Sequence, residues 1–114
     1  MKTLQQLCIQ HKTDKHGHHD YARHYEKHFK DIRIKKNVIL ELGIGGYEFT
    51  DRGGAGLRVW SDYFQNSKIF GLDMYDKSEI KLPARTKIFQ GSQADGDFIT
   101  NVLSETGIPD VIID

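Results

Sequence analysis

Val38-Ile39-Leu40-Glu41-Leu42-Gly43-Ile44-Gly45-Gly46 is the stretch on which the fold of this chain turns. A short apolar run closes on three glycines, which is the pattern of a buried strand running into a glycine-rich turn. Downstream, residues 47–54 carry charges and two glycines and read as an inserted loop. Leu57, Trp60, Tyr63 and Phe64 then recur at the spacing of a helix with one buried stripe. Lys68 to Asp73 predicts a second strand with a carboxylate at its end, and Thr86 to Gln90 a third, weaker one. A helix follows, with Asp95 or Asp97 as cap, Phe98, Ile99, Val102 and Leu103 as its apolar face, and Gly107 and Pro109 as stop signals. Val111-Ile112-Ile113-Asp114 predicts a fourth strand.

Strands alternating with helices after residue 37 imply βαβ units and a parallel sheet, a Rossmann-like α/β fold. Such a sheet needs cover on both faces. A chain stopping on its most apolar strand is therefore expected to be truncated after that fourth strand. Upstream, Leu4, Leu7 and Cys8 mark a helix from Thr3 to His11, with Thr3 as cap. A polar stretch from Lys12 to Asp20 reads as a loop, and Tyr21, His24, Tyr25 and His28 mark a second helix from Tyr21 to Phe29. The expected division is a helical segment at 1–36 and a partial cofactor-binding domain at 37–114.

The bulk properties narrow the function classes. The 114 residues make room for one domain, and the formal net charge of zero gives no field directed at nucleic acid or an anionic membrane. The single cysteine, Cys8, cannot close an internal disulfide and reads as a small apolar residue on a helix face. Neither a signal-type apolar run nor a membrane-length span is present, so a soluble, cytoplasmic protein is expected.

The site chemistry follows from the turn and its acidic partner. Glycines after a strand let backbone approach a ligand closely, and Asp73 ends the next strand on the same sheet edge. An acid there can accept hydrogen bonds from two ribose hydroxyls, so the pair points to a nucleoside-containing cofactor. A dinucleotide fingerprint would place a third glycine where Glu48 stands. Glu41, two residues before the first glycine, suits a cofactor with a cationic amino-acid end, such as S-adenosylmethionine, better than a pyrophosphate. An NAD-linked or nucleotide-sugar enzyme is the first alternative; a non-catalytic cofactor-binding remnant is the second.

Three blocks give the chain a family resemblance: residues 41–47 (Glu41 to Tyr47), 53–60 (Gly53 to Trp60) and 69–77 (Ile69 to Lys77). Together they resemble the macrocin and mycinamicin O-methyltransferases, class I enzymes that methylate sugar hydroxyls of macrolides and related natural products. The blocks Thr13-Asp14-Lys15, His18-His19, His24 to Phe29, Phe89 to Asp95 and Asp110 to Asp114 are similar too. The resemblance implies that Glu41, Gly43 and Gly45, with Gly46 in the same turn, line the methionine end of S-adenosylmethionine. It places Asp73 on the ribose and Gln93 and Asp95 near the adenine. It makes the N-terminal segment a lid, with Tyr25 as a contact, and Asp114 the first of a set of magnesium ligands. The other ligands and a histidine base would lie beyond Asp114, so no catalytic residue is expected within the chain. Ser92 departs from the aspartate often found there. The implied partner is a sugar-bearing small-molecule acceptor, with a homo-oligomer possible and no nucleic acid or membrane.

All six histidines fall between residues 11 and 28. His24 and His28 stand one helical turn apart, but no cysteine joins them and the pattern reads as solvated surface or lid before zinc site. The basic patch from Arg33 to Lys36 reads as a solvated approach to the first strand, and Trp60 as core.

Overall fold

The computed structural model describes residues 1–12 and 19–114. The block Thr13-Asp14-Lys15 and the residues His16, Gly17 and His18 lie outside the described residues. Among those described, the elements run α1 (Leu4–Gln10), α2 (His19–Phe29), β1 (Val38–Leu42), α3 (Ala55–Tyr63), β2 (Lys68–Asp73), β3 (Thr86–Gln90), α4 (Gly96–Thr106) and β4 (Val111–Ile113).

The helix ends obey local chemistry. Thr3 caps α1 through a capping box, its hydroxyl accepting from the Gln6 amide while the Gln6 side chain accepts from the Thr3 amide. Asp95, rather than Asp97, caps α4, and Gly107 closes it. Helix α2 starts at His19, two residues before its expected start and inside the stretch read as loop. The apolar period reports where a helix packs, whereas its backbone winding can begin earlier.

All strand pairs are parallel, in the order β3-β2-β1-β4. Side chains alternate across the sheet. Ile39, Ile69, Val111 and Ile113 face a core shared with Leu57, Trp60 and Phe64 of α3 and its C-cap. Leu40, Phe70 and Leu72 face the other way, against Val102, Phe98 and Ile99 of α4. Leu4, Leu7 and Cys8 of α1 and Ala22 of α2 belong to the first core. The N-terminal segment thus shares one continuous layer with α3. Ile112 of the edge strand is 59% exposed.

Helix α3 ends in carbonyls that need donors. Arg85 supplies them, its guanidinium donating to the carbonyls of Ser61, Phe64 and Ser67. Arg33 adds a bond to the Tyr63 carbonyl and another to that of Lys2, with its guanidinium 4.0 Å above the Tyr63 ring. The expectation of a solvated basic patch is therefore corrected at Arg33, which is buried; Lys35 and Lys36 are exposed. A guanidinium has enough donors, in a fixed fork, to be buried against carbonyls, whereas a lone ammonium beside water gains little by entering. Burial first, and then the Glu26 carboxylate, pushes the Tyr63 hydroxyl well above its usual range. No helix among the described residues is long and apolar enough to cross a membrane.

Candidate functional site

The strand order reverses direction around β1, and in open parallel sheets ligands settle at such a switch, outside the carboxyl ends of the strands. Two adjoining clefts occupy that edge, with Gly43, Gly45 and Tyr47 lining both. The first, of about 390 Å³, runs over Leu72, Asp73, Tyr75 and Gln93. The second, of about 540 Å³, reaches Glu41, Gly46 and Lys12.

Asp73 is held by the turn it serves. Its Oδ2 accepts from the Ile44 amide at 3.1 Å and its Oδ1 from the Tyr75 amide at 3.0 Å. A carboxylate oxygen carries two acceptor directions, so each still has one to offer a hydroxyl. Two backbone N–H groups fix the orientation of the carboxylate before any ligand arrives.

Glu41 is 5% exposed. Its Oε1 accepts from the Trp60 indole N–H at 3.2 Å. Gly56, in the first turn of α3, sits directly against this carboxylate: a Cβ there would lie 2.4 Å from Oε1. Gly56→Ala is therefore expected to push the Glu41 side chain out of place. The predicted result is a ligand affinity roughly ten-fold weaker at a stability cost of about 1–3 kcal/mol, read by titration calorimetry and thermal melting on one preparation.

Residues 46–53 form an excursion with a pinched neck. A Cβ on Gly46 would strike the Arg52 carbonyl at 2.1 Å, and one on Gly53 would strike that of Gly45 at 2.2 Å. The Gly54 amide donates to the Ile44 carbonyl at 2.7 Å, closing the neck. Glu48 lies out on the excursion, and the glycine that lets the helix approach the strand is Gly56, across the neck.

The remaining expected site residues divide. Gly43, Gly45, Asp73 and Gln93 line the first cleft, and Glu41, Gly43, Gly45 and Gly46 the second. Asp95 lines neither, and its Oδ1 caps α4 by accepting from the Phe98 amide at 3.2 Å. Tyr25 also lines neither; its ring stacks on Phe29 at 5.6 Å and meets Trp60 edge-on at 6.0 Å. Asp114 follows β4 and is exposed. Among the described residues no three histidines, cysteines or carboxylates gather where they could hold a metal ion.

Sequence reasoning passed over the partners of these residues. Gly56 was legible as a glycine in the first turn of the helix after the central strand. Gly91, where a Cβ would meet the Phe98 ring at 2.4 Å, and Lys77, buried below the excursion, carry no local signal.

No family model matches the chain. It is 37% identical over 112 residues to mycinamicin VI 2''-O-methyltransferase of Micromonospora griseorubida, covering 97% of this chain and 28% of that protein. It is 40% identical over 112 residues to 8-demethyl-8-(2-methoxy-alpha-L-rhamnosyl)-tetracenomycin-C 3'-O-methyltransferase of Streptomyces olivaceus, with the same coverage. The chain thus spans less than a third of the length of the curated relatives it matches. The solved structure of the MycE methyltransferase of mycinamycin biosynthesis, in complex with Mg and SAH, superposes with a TM-score of 0.90 at 35% identity, over 99% of this chain and 29% of that one. A second MycE structure, holding Mg, SAH and mycinamycin VI, superposes at 0.89 and 33% identity, over 99% of this chain and 31% of that one. Over the stretch it spans, the chain is similar in sequence to sugar O-methyltransferases of macrolide and tetracenomycin pathways and shares the fold of the matching part of the MycE methyltransferase.

Proposed function

We propose that this chain binds S-adenosylmethionine across the two clefts, and that the protein acts as an O-methyltransferase on a sugar hydroxyl of a small-molecule natural product. One observation carries the reading. A ligand-facing acid stands at the carboxyl end of β2, a buried acid stands near that of β1, and an apolar and a polar cleft join between them. Leu72 and Tyr75 suit the flat apolar face of adenine, with Gln93 at its rim. Asp73 suits the two ribose hydroxyls, and the negative charge of Glu41 suits the ammonium of the methionine end. The relatives' complexes with SAH are consistent with this assignment.

The cofactor, when bound, supplies a methyl on a positively charged sulfur whose charge disappears as the methyl leaves. The residues described here orient and enclose. Asp73 and the turn amides hold the nucleoside, Glu41 holds the amino-acid end, and the glycine turn admits the chain between them without a Cβ in the way. Of the described residues before β1, Lys12 stands at the rim of the polar cleft. Asp114 alone does not make a magnesium site, so no step is assigned to a metal within this chain.

Titration calorimetry of S-adenosylmethionine, S-adenosylhomocysteine and NAD against the purified chain tests the reading. Binding of the two sulfur nucleosides without NAD is the expected outcome. Binding of NAD alone, or of none of the three by a chain whose circular dichroism is that of a folded protein, overturns it.

A further inference from the structure

Lys77 is a lysine only 4% exposed, and such burial demands an explanation, because an ammonium leaves water only when its hydrogen bonds are replaced. They are replaced in full. Its Nζ donates to the carbonyls of Tyr47 at 2.5 Å, Phe49 at 2.9 Å and Arg52 at 3.1 Å. Three N–H groups meet three carbonyls, all from the excursion between Gly46 and Gly53. Lys77 therefore fills the inside of that loop, while the glycine neck closes its base.

The loop carries a side chain that matters for the cleft. Tyr47 lines both halves of it, at the boundary between the apolar and polar parts. Its backbone sits at φ 52°, a region costly for a residue with a Cβ, and its side chain is 79% exposed. Neither packing nor preference holds Tyr47 there. The bond from Lys77 to its own carbonyl and the two further along the loop tie it down from inside, while the Thr50 hydroxyl donating to Glu79 at 2.6 Å ties the loop from outside.

We propose that Lys77 is a positioning residue of the cofactor cleft, its ammonium holding the 47–52 loop so that Tyr47 stands between the two halves of the site. The inference rests on the cofactor reading above and extends it to a residue that touches neither cleft. Lys77→Met keeps the aliphatic stem and removes all three donors. S-adenosylhomocysteine affinity is expected to fall about ten-fold or more, because the site must order its own loop on binding. The amides of residues 47–52 should exchange hydrogen faster in the variant without ligand, while those of β1 and β2 keep their protection.

A double-mutant cycle separates positioning from general stability. If Lys77 acts through Tyr47, then Lys77→Met in a Tyr47→Ala background weakens binding little beyond Tyr47→Ala alone. Additive losses would instead mark a merely structural lysine and overturn the proposal. Lys77→Gln, which keeps two donors, serves the same cycle if Lys77→Met melts below the working temperature. Wild-type binding matched by equal binding in the variants sinks this inference and leaves the cofactor reading standing. A wild-type chain that binds neither sulfur nucleoside sinks both.

Discussion

Asp73→Ala is expected to weaken binding of S-adenosylhomocysteine by roughly a hundred-fold, equivalent to about 3 kcal/mol. Two effects add. Hydrogen bonds to a charged acceptor contribute about 1.5–3 kcal/mol each, and the ribose would lose its acceptor for two hydroxyls. The same carboxylate also accepts the Ile44 and Tyr75 amides, so its removal loosens the glycine turn on one side and the start of the 74–85 segment on the other. Asp73→Asn separates them, since its single carbonyl oxygen can keep one amide bond but cannot serve both turns and the ribose. Its affinity is expected between those of the wild type and the alanine variant. Asp76→Ala is the control. That aspartate is exposed and accepts from the Ser78 amide first and the Ser78 hydroxyl second, local bonds that hold its carboxyl below the usual range. Calorimetry on the three variants decides the matter: equal losses for Asp73→Ala and Asp76→Ala would remove Asp73 from the site.

Trp60→Ala carries the largest expected loss of stability, about 3–5 kcal/mol by the usual cost of truncating a buried aromatic. Trp60 is fully buried and lies 6.0 to 6.2 Å from the rings of Tyr25, Phe29 and Phe64. Its ring joins α2 to α3, so truncating it opens a cavity in the layer between the N-terminal helices and the sheet. Domains of this size commonly have about 5–15 kcal/mol in total, so the variant should lose a large fraction of its stability. Trp60→Phe retains most of the packing and removes the N–H that reaches Glu41 Oε1. It should cost about 1–3 kcal/mol, with a larger relative effect on cofactor affinity than on the melting temperature. Urea unfolding followed by circular dichroism measures the stability of both variants, and titration calorimetry the affinity. A loss under about 1 kcal/mol for Trp60→Ala would mean that the aromatic layer is not the support described.

Local signals carried the elements of this chain. Periodicity and end residues located β1, β2 and α4 because an apolar face, an N-cap and a helix-stopping glycine are properties of neighbouring residues. Asp73 and the glycine turn were legible for the same reason: a strand, a turn and the end of the next strand occupy fixed places in a βαβ unit. Helix α2 was harder to bound, since its start lies in polar residues that carry no period.

What the tertiary structure decided is which distant groups share a space. Asp95 was placed near the adenine by resemblance, and the structure adds that its carboxylate caps α4. Tyr25 was assigned to the lid, and its ring belongs to the aromatic layer on Trp60. Glu48 was read against a glycine fingerprint that continues, in space, at Gly56 on the far side of a pinched loop. The roles of Lys77 and Arg85 were not legible, although Lys77 closes one of the family blocks, because what makes each necessary is a set of carbonyls 18 to 30 residues away. The sequence by itself determined the α/β order, the turn and its two acids, since those depend on chain neighbours. Only the folded chain determined how the acids are held and what fills the loop between them, since burial and hydrogen bonding are settled between residues that the chain brings together last.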